Sequence, residues 1–144
     1  MQISLLSSED KLNYNNLALA YGTVFNSIEW TNIFGNSMCH YGIYNKDSKL
    51  IGGFALYKEK KFGISVYQDP PFTPGIGPFL QVEASNPVSI MDTWKNILTQ
   101  ISSLVGKYQY SIVSFSLNKN IVDMQPFVWN KFKVVPRYTY LLDL

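Results

Sequence analysis

At 144 residues, with twelve basic and ten acidic side chains leaving a net charge of +2, the chain is long enough for one domain and too weakly basic for a nucleic-acid-binding face. One cysteine excludes an internal disulfide and fits a reducing compartment, and the single histidine beside it leaves too few ligands for a zinc site. Apolar residues make up 47% and charged ones 15%, the latter against about 25% in ordinary domains, so a core is affordable and the surface is neutral.

Residues 2–6 form a short apolar run suited to an opening strand. Ser7 or Ser8 is placed to cap the helix after it, with Glu9 and Asp10 in a first turn where the helix dipole favours negative charge, and Gly22 ends it. A second short helix is signalled by Asn26 as cap with Glu29 three residues on. Phe25 is placed to pack onto Trp30 as a hydrophobic staple, and Trp30 is assigned to the core.

From Met38 the apolar period changes from helical to two. Residues 38–44 and 50–57 are expected to form a hairpin around a turn at 45–48, and a lysine-rich turn at 58–61 leads into a third strand at 62–67. The Gly52-Gly53 pair inside a strand signals a bulge or a close approach by another backbone. Residues 68–78 then carry Pro70, Pro71, Pro74 and Pro78, which fix φ, remove donors and forbid helix.

Residues 88–105 have the clearest period: Ile90, Trp94, Ile97, Leu98, Ile101, Leu104 and Val105 share one face, with Ser89 as the expected cap. A strand at 110–117 follows, burying Val113, Phe115 and Leu117. Strand, helix and strand in this order predict a crossover and a partly parallel sheet. Asp123 is expected to cap a short turn through Trp129, and residues 133–144 read as a final long strand. The residues themselves thus predict an α/β (α+β) domain with one rigid loop, and they name no activity. No secretory leader pattern and no run near the roughly 20 apolar residues of a membrane span is present, so the expected location is cytoplasmic.

The order of elements is similar to the acyl-CoA N-acyltransferase (GNAT) fold: a mixed sheet, an antiparallel meander, then a helix crossover, with helices on both faces. Four stretches resemble the first half of the Fem-type aminoacyltransferases. They are Phe25-Asn26-Ser27 with Trp30, Gly52-Gly53-Phe54, Pro74-Gly75-Ile76-Gly77-Pro78, and the closing Arg137-Tyr138-Thr139-Tyr140-Leu141-Leu142-Asp143-Leu144. The resemblance implies one GNAT-like domain over residues 1–144, the first of two tandem halves, on the acceptor side of a transferase that adds amino acids to peptidoglycan precursors. It implies that such a half is inactive alone. The partners it implies are a second GNAT-like half and a peptidoglycan precursor or small amine acceptor, with no DNA, membrane span or metal. Self-association is the other reading, as a non-catalytic binding domain.

Two departures from the family pattern bear on ligands. Acetyl-CoA-binding relatives carry Arg or Gln ahead of paired glycines whose amides hold the pyrophosphate; here Phe72 takes that place and Pro74 and Pro78 remove amides, so no cofactor is expected. Residues 31–37 contain no Lys or Arg, which weakens a nucleotide-sugar acceptor. No catalytic residue stands out. The candidate substrate-binding residues are Tyr67, Asp69, Arg137 and Tyr138: Asp69 as base or anchor beside the rigid loop, Arg137 for a carboxylate or phosphate, and the tyrosines as packing residues with polar tips. Cys39 and His40 are adjacent in a strand, point to opposite faces and cannot pair. Lys58, Lys60 and Lys61 read as a solvated hairpin tip.

Overall fold

The structure, a computed structural model, describes residues 1–109 and 111–138. β1 (Gln2–Leu5), β2 (Met38–Tyr44), β3 (Leu50–Lys61) and β4 (Ile64–Gln68) are antiparallel neighbours in that order. β6 (Ser111–Ser114) lies parallel to β4, and two-residue β5 (Phe79–Leu80) pairs with the early part of β3. The link between β4 and β6 carries α3 (Pro87–Gly106), so the expected meander and crossover are both present.

Because strand side chains alternate, the registers divide the sheet into two faces. Tyr41, Ile43, Phe54 and Leu56 meet Ile97, Leu98, Ile101 and Val105 of α3, together with Phe127 of α4 (Gln125–Trp129), in the main core. On the other face α1 (Lys11–Tyr21) lays Tyr14 and Ala18 against Leu50 and Phe79. α2 (Ile28–Asn32) follows a 3-10 turn at Val24–Asn26 on that same side. Helices therefore cover both faces.

Several boundaries differ from expectation, each for a local reason. α3 starts at Pro87 and is capped by Asn86, whose side chain accepts the Ser89 N–H at 2.8 Å, so Ser89 is not the cap; proline at the first position costs no hydrogen bond. α2 is capped by Ser27, which accepts from Trp30 N at 3.2 Å; Asn26 instead turns its side chain back to Thr23 and across to the rigid loop. α1 begins at Lys11, and Ser7 accepts the Asp10 N–H just before the helix. Phe25 and Trp30 do pack edge to face at 5.0 Å between centroids. Trp30 is half-buried rather than core, because its indole N–H is committed to Thr73 Oγ1 at 3.0 Å.

Residues 58–61 are strand, not turn. They pair with Ile64–Tyr67 of β4, and the reversal falls on Phe62 and Gly63, both at positive φ (51° and 81°), as a tight two-residue hairpin requires. At the other end, 133–138 carry no strand; Pro136 has no N–H to give a ladder. The expected strand over 139–144, Tyr140 with it, and Tyr110 lie outside the described residues. Asp123 Oδ1 accepts the Gln125 N–H at 3.0 Å at the start of α4, whose Pro126 carbonyl is held by the buried Ser102 hydroxyl at 3.2 Å.

Candidate functional site

β4 and β6 run parallel, and their pairing ends at Gln68 and Ser114. Ligands of open α/β sheets bind outside such carboxyl ends. A crevice of about 550 Å³ opens here, between the chain just past β6 and residues 132–137. Its apolar wall includes Phe115, Leu117, Ile121 and Phe127; its polar groups are Asp69, Ser114, Ser116, Asn118, Lys119, Lys133 and Arg137. That volume is within the roughly 300–1,000 Å³ of small-molecule sites.

Among the described residues Asp69 is the one acidic side chain lining it. Its Oδ2 accepts the Ser116 N–H at 2.8 Å, while Oδ1 is buried with no hydrogen-bond partner among the described residues. Burial pushes the carboxyl above its ordinary range, opposed by hydrogen bonds from Ser116, the nearby Ile76 amide and the positive charge of Arg137. The Ile76 amide favours the charged form without completing a bond to Oδ1. Arg137 Nη1 donates to Ser116 Oγ at 3.4 Å, so one serine holds the acid through its backbone and the base through its hydroxyl.

Of the four sequence-derived candidates, the fold brings Asp69 and Arg137 together, 68 positions apart in the chain. Tyr67 lies elsewhere: its ring is tilted against Tyr108 at 4.5 Å, Lys58 sits 5.5 Å over its face, and Tyr108 shares a hydroxyl hydrogen bond with Tyr41. Tyr138 is 92% exposed and does not line the crevice. Ser116 and the wall residues Phe115 and Leu117 were missed as site residues. The sequence signal for them was the alternation that continues past the last paired residue of β6.

Cys39 and His40 do point to opposite faces. Cys39 packs on the α3 side, and burial raises its thiol, opposed by Lys58. His40 Nε2 meets Thr31 Oγ1 at 2.8 Å; since Thr31 gives its own proton to the Ser27 carbonyl at 2.9 Å, the ring nitrogen is the donor. Burial, then the charge of Lys11, pushes His40 down to about 4 and keeps it neutral. Among the described residues no group of three or more His, Cys, Asp or Glu could hold a metal ion, and no helix is long and apolar enough to cross a membrane.

The rigid loop is anchored at three points. Asn26 Nδ2 donates to the Gly77 carbonyl at 3.0 Å, Trp30 holds Thr73, and Ile76 is fully buried against Met38 and Ala55. Gly77 presses on the chain leaving β6: a Cβ there would stand 2.9 Å from Leu117 Cα and 3.0 Å from Ser116 O. Phe72, at φ 57°, is 94% exposed at the loop tip.

Compared by sequence, the chain matches no protein-family model and no curated protein. Compared by structure, it is similar to a ribosomal-protein-alanine N-acetyltransferase from Brucella melitensis biovar Abortus 2308, with TM-score 0.52, 11% identity and full coverage of both chains. It is similar also to the aminoglycoside antibiotic 6'-N-acetyltransferase AAC(6')-Ih from Acinetobacter baumannii, with TM-score 0.52 and 9% identity over 99% of this chain and 97% of that one. A probable acetyltransferase aligns with TM-score 0.54 and 11% identity over 100% and 99% of the two chains. The fold is thus GNAT-like, a mixed α/β domain with a mostly antiparallel sheet.

Such a fold implies an acyl-coenzyme A carrier, and the residues present do not fit one. In the loop that would hold its pyrophosphate Pro74 and Pro78 have no N–H to offer, Phe72 stands where a polar side chain would be needed, and at the start of α3 the Ser89 N–H is already taken by the Asn86 side chain.

Proposed function

We propose that the chain is the acceptor-side half of a Fem-like N-acyltransferase: the first of two GNAT-like halves, inactive alone, holding an amine for acylation by a donor bound elsewhere. The observation that carries this reading is the crevice at the ends of β4 and β6, lined by both the Asp69 carboxyl and Arg137. Asp69 anchors the acceptor amine, Arg137 holds an acidic group beside it, and rate comes from fixing the amine against an activated acyl group. The resemblance makes the acceptor a peptidoglycan precursor or a smaller amine, and the donor an aminoacyl-tRNA.

The test is transfer from aminoacyl-tRNA to an amine-bearing peptidoglycan precursor, by the chain alone and with the C-terminal half of a Fem-type transferase added. Transfer only in the mixture supports the reading. Acetyl transfer from acetyl-CoA by the chain alone, or failure of the two halves to associate and act, overturns it.

A second reading, a non-catalytic domain that associates with itself or another protein, is favoured by α1. Leu12 and Leu19 stand seven residues apart on its outward side, 71% and 59% exposed. Sedimentation of the chain by itself separates the two: a stable dimer lost in Leu12→Lys favours association.

A further inference from the structure

Among the described residues the crevice contains one acid, and several cationic groups at or near its rim, and their placement restricts what can enter. A bare anion brought to Arg137 meets the Asp69 carboxylate, and a bare cation brought to Asp69 meets Arg137, Lys119 and Lys133. A group bearing both charges satisfies both sides. Ser116 sets their spacing, since its N–H binds Asp69 at 2.8 Å and its hydroxyl accepts from Arg137 at 3.4 Å. Two opposite charges that share one serine stand as neighbours, as do the ammonium and carboxylate of an α-amino acid. Behind them the wall of Phe115, Leu117, Ile121, Met124, Phe127 and Phe132 is apolar.

We propose that this crevice binds a free α-amino acid with a large apolar side chain, its ammonium on Asp69, its carboxylate on Arg137 and its side chain on the phenylalanine-lined wall. Asp69 lines the crevice, and its Oδ2, which takes the Ser116 N–H at 2.8 Å, keeps a second lone pair to which the ammonium donates. Arg137 presents a planar fork of donors suited to a carboxylate. The inference rests on the acceptor reading above and narrows it: the amine to be acylated is an α-amino group. Glycine, lacking the apolar body, fills only the charged end.

The test is calorimetric titration of the full chain with L-phenylalanine and L-leucine, against 2-phenylethylamine, 3-phenylpropanoate and glycine. The expected result is saturable binding of the two apolar amino acids and at least tenfold weaker binding of each of the other three. Arg137→Gln and Asp69→Asn each lose at least tenfold, with thermal midpoints close to that of the parent. Absence of saturable binding by both amino acids overturns the proposal, as does equal binding of phenylalanine and 2-phenylethylamine. Arg137 is exposed, so Arg137→Gln keeps the question decidable if Asp69→Asn folds poorly. Amino-acid binding without transfer in the two-half assay would sink the transferase reading alone; transfer to other amines without such binding would sink this inference alone.

Discussion

The side-chain amide of Asn26 donates to the carbonyl of Gly77 at 3.0 Å, tying the turn before α2 to the rigid loop 51 residues on. Its Oδ1 at the same time accepts both the N–H and the hydroxyl of Thr23, each at 3.0 Å. Asn26 is fully buried, so every one of these bonds replaces water the groups gave up.

Asn26→Ala therefore strands a buried carbonyl and a backbone N–H together, at about 1–3 kcal/mol for each group left unpaired. The expected outcome is a loss of about 2–4 kcal/mol in urea unfolding at unchanged m-value. Asn26→Asp should cost at least as much, because it keeps the acceptor for Thr23 but turns a charge toward the Gly77 carbonyl.

The paired glycines of β3 make the second prediction. A Cβ on Gly53 would lie 2.3 Å from Tyr14 Cε2 and 2.6 Å from Tyr41 O, and one on Gly52 would lie 2.2 Å from Phe79 O. Helix α1 and strand β5 can reach β3 only where it has no side chains. Gly53→Ala should cost about 1–3 kcal/mol by overpacking, and more if Tyr14, buried without room to turn, cannot shift. Gly63→Ala is the contrast: nothing lies within 4 Å, so its cost is the left-handed φ of 81° alone, about 1 kcal/mol. Thermal unfolding of the two variants side by side checks the order.

How much of this was legible beforehand follows from what each element needs. α3 and β2 were legible because one face of each is apolar at the right period, and the Gly52-Gly53 pair because glycine in a strand is costly unless something approaches closely. Residues 58–61 were misread because Lys-Glu-Lys-Lys is polar on both faces. The hairpin extends beyond the helices that would have demanded an apolar side, and its turn has Phe62 where Asn or Asp is the usual signal. Asp69 and Arg137 were legible singly, as an acid before Pro-Pro and a base in a family-like strand. Their meeting on Ser116 was not, because separations of 47 and 21 residues are set by the return of β6 beside β4, which no local pattern contains.

His40 gives a pH prediction whose sign can be fixed. Its folded pKa, pushed down to about 4, lies below the 6.5 of the unfolded chain, so between these values the unfolded state binds more protons. The stabilisation from a neutral, Thr31-bonded His40 is fully present above about pH 6.5 and is lost as pH falls toward about 4. His40→Gln keeps a donor for Thr31 and removes the titration. The difference in urea midpoint between parent and variant should therefore shift in the variant's favour between pH 7 and pH 4.5, whatever the carboxylates do in common.

Asp69 predicts the opposite slope. Burial raises its folded pKa above the unfolded value, so in the window between them the folded state binds the extra proton; its contribution is present at low pH and lost as pH rises through the folded pKa. At pH 7–8 the ionised carboxylate, with Oδ1 lacking a partner among the described residues, is then a burden on the fold unless something supplies a donor. Asn at this position keeps an oxygen for the Ser116 N–H and carries no charge. Asp69→Asn is thus expected to be as stable as the parent at pH 8 or more so, by up to about 1 kcal/mol, with the advantage shrinking toward pH 4. A purely structural aspartate, held there for the Ser116 bond, would show the reverse: a loss on substitution at pH 8. Urea unfolding at the two pH values decides between them, and a gain in stability would mark Asp69 as retained for what enters the crevice.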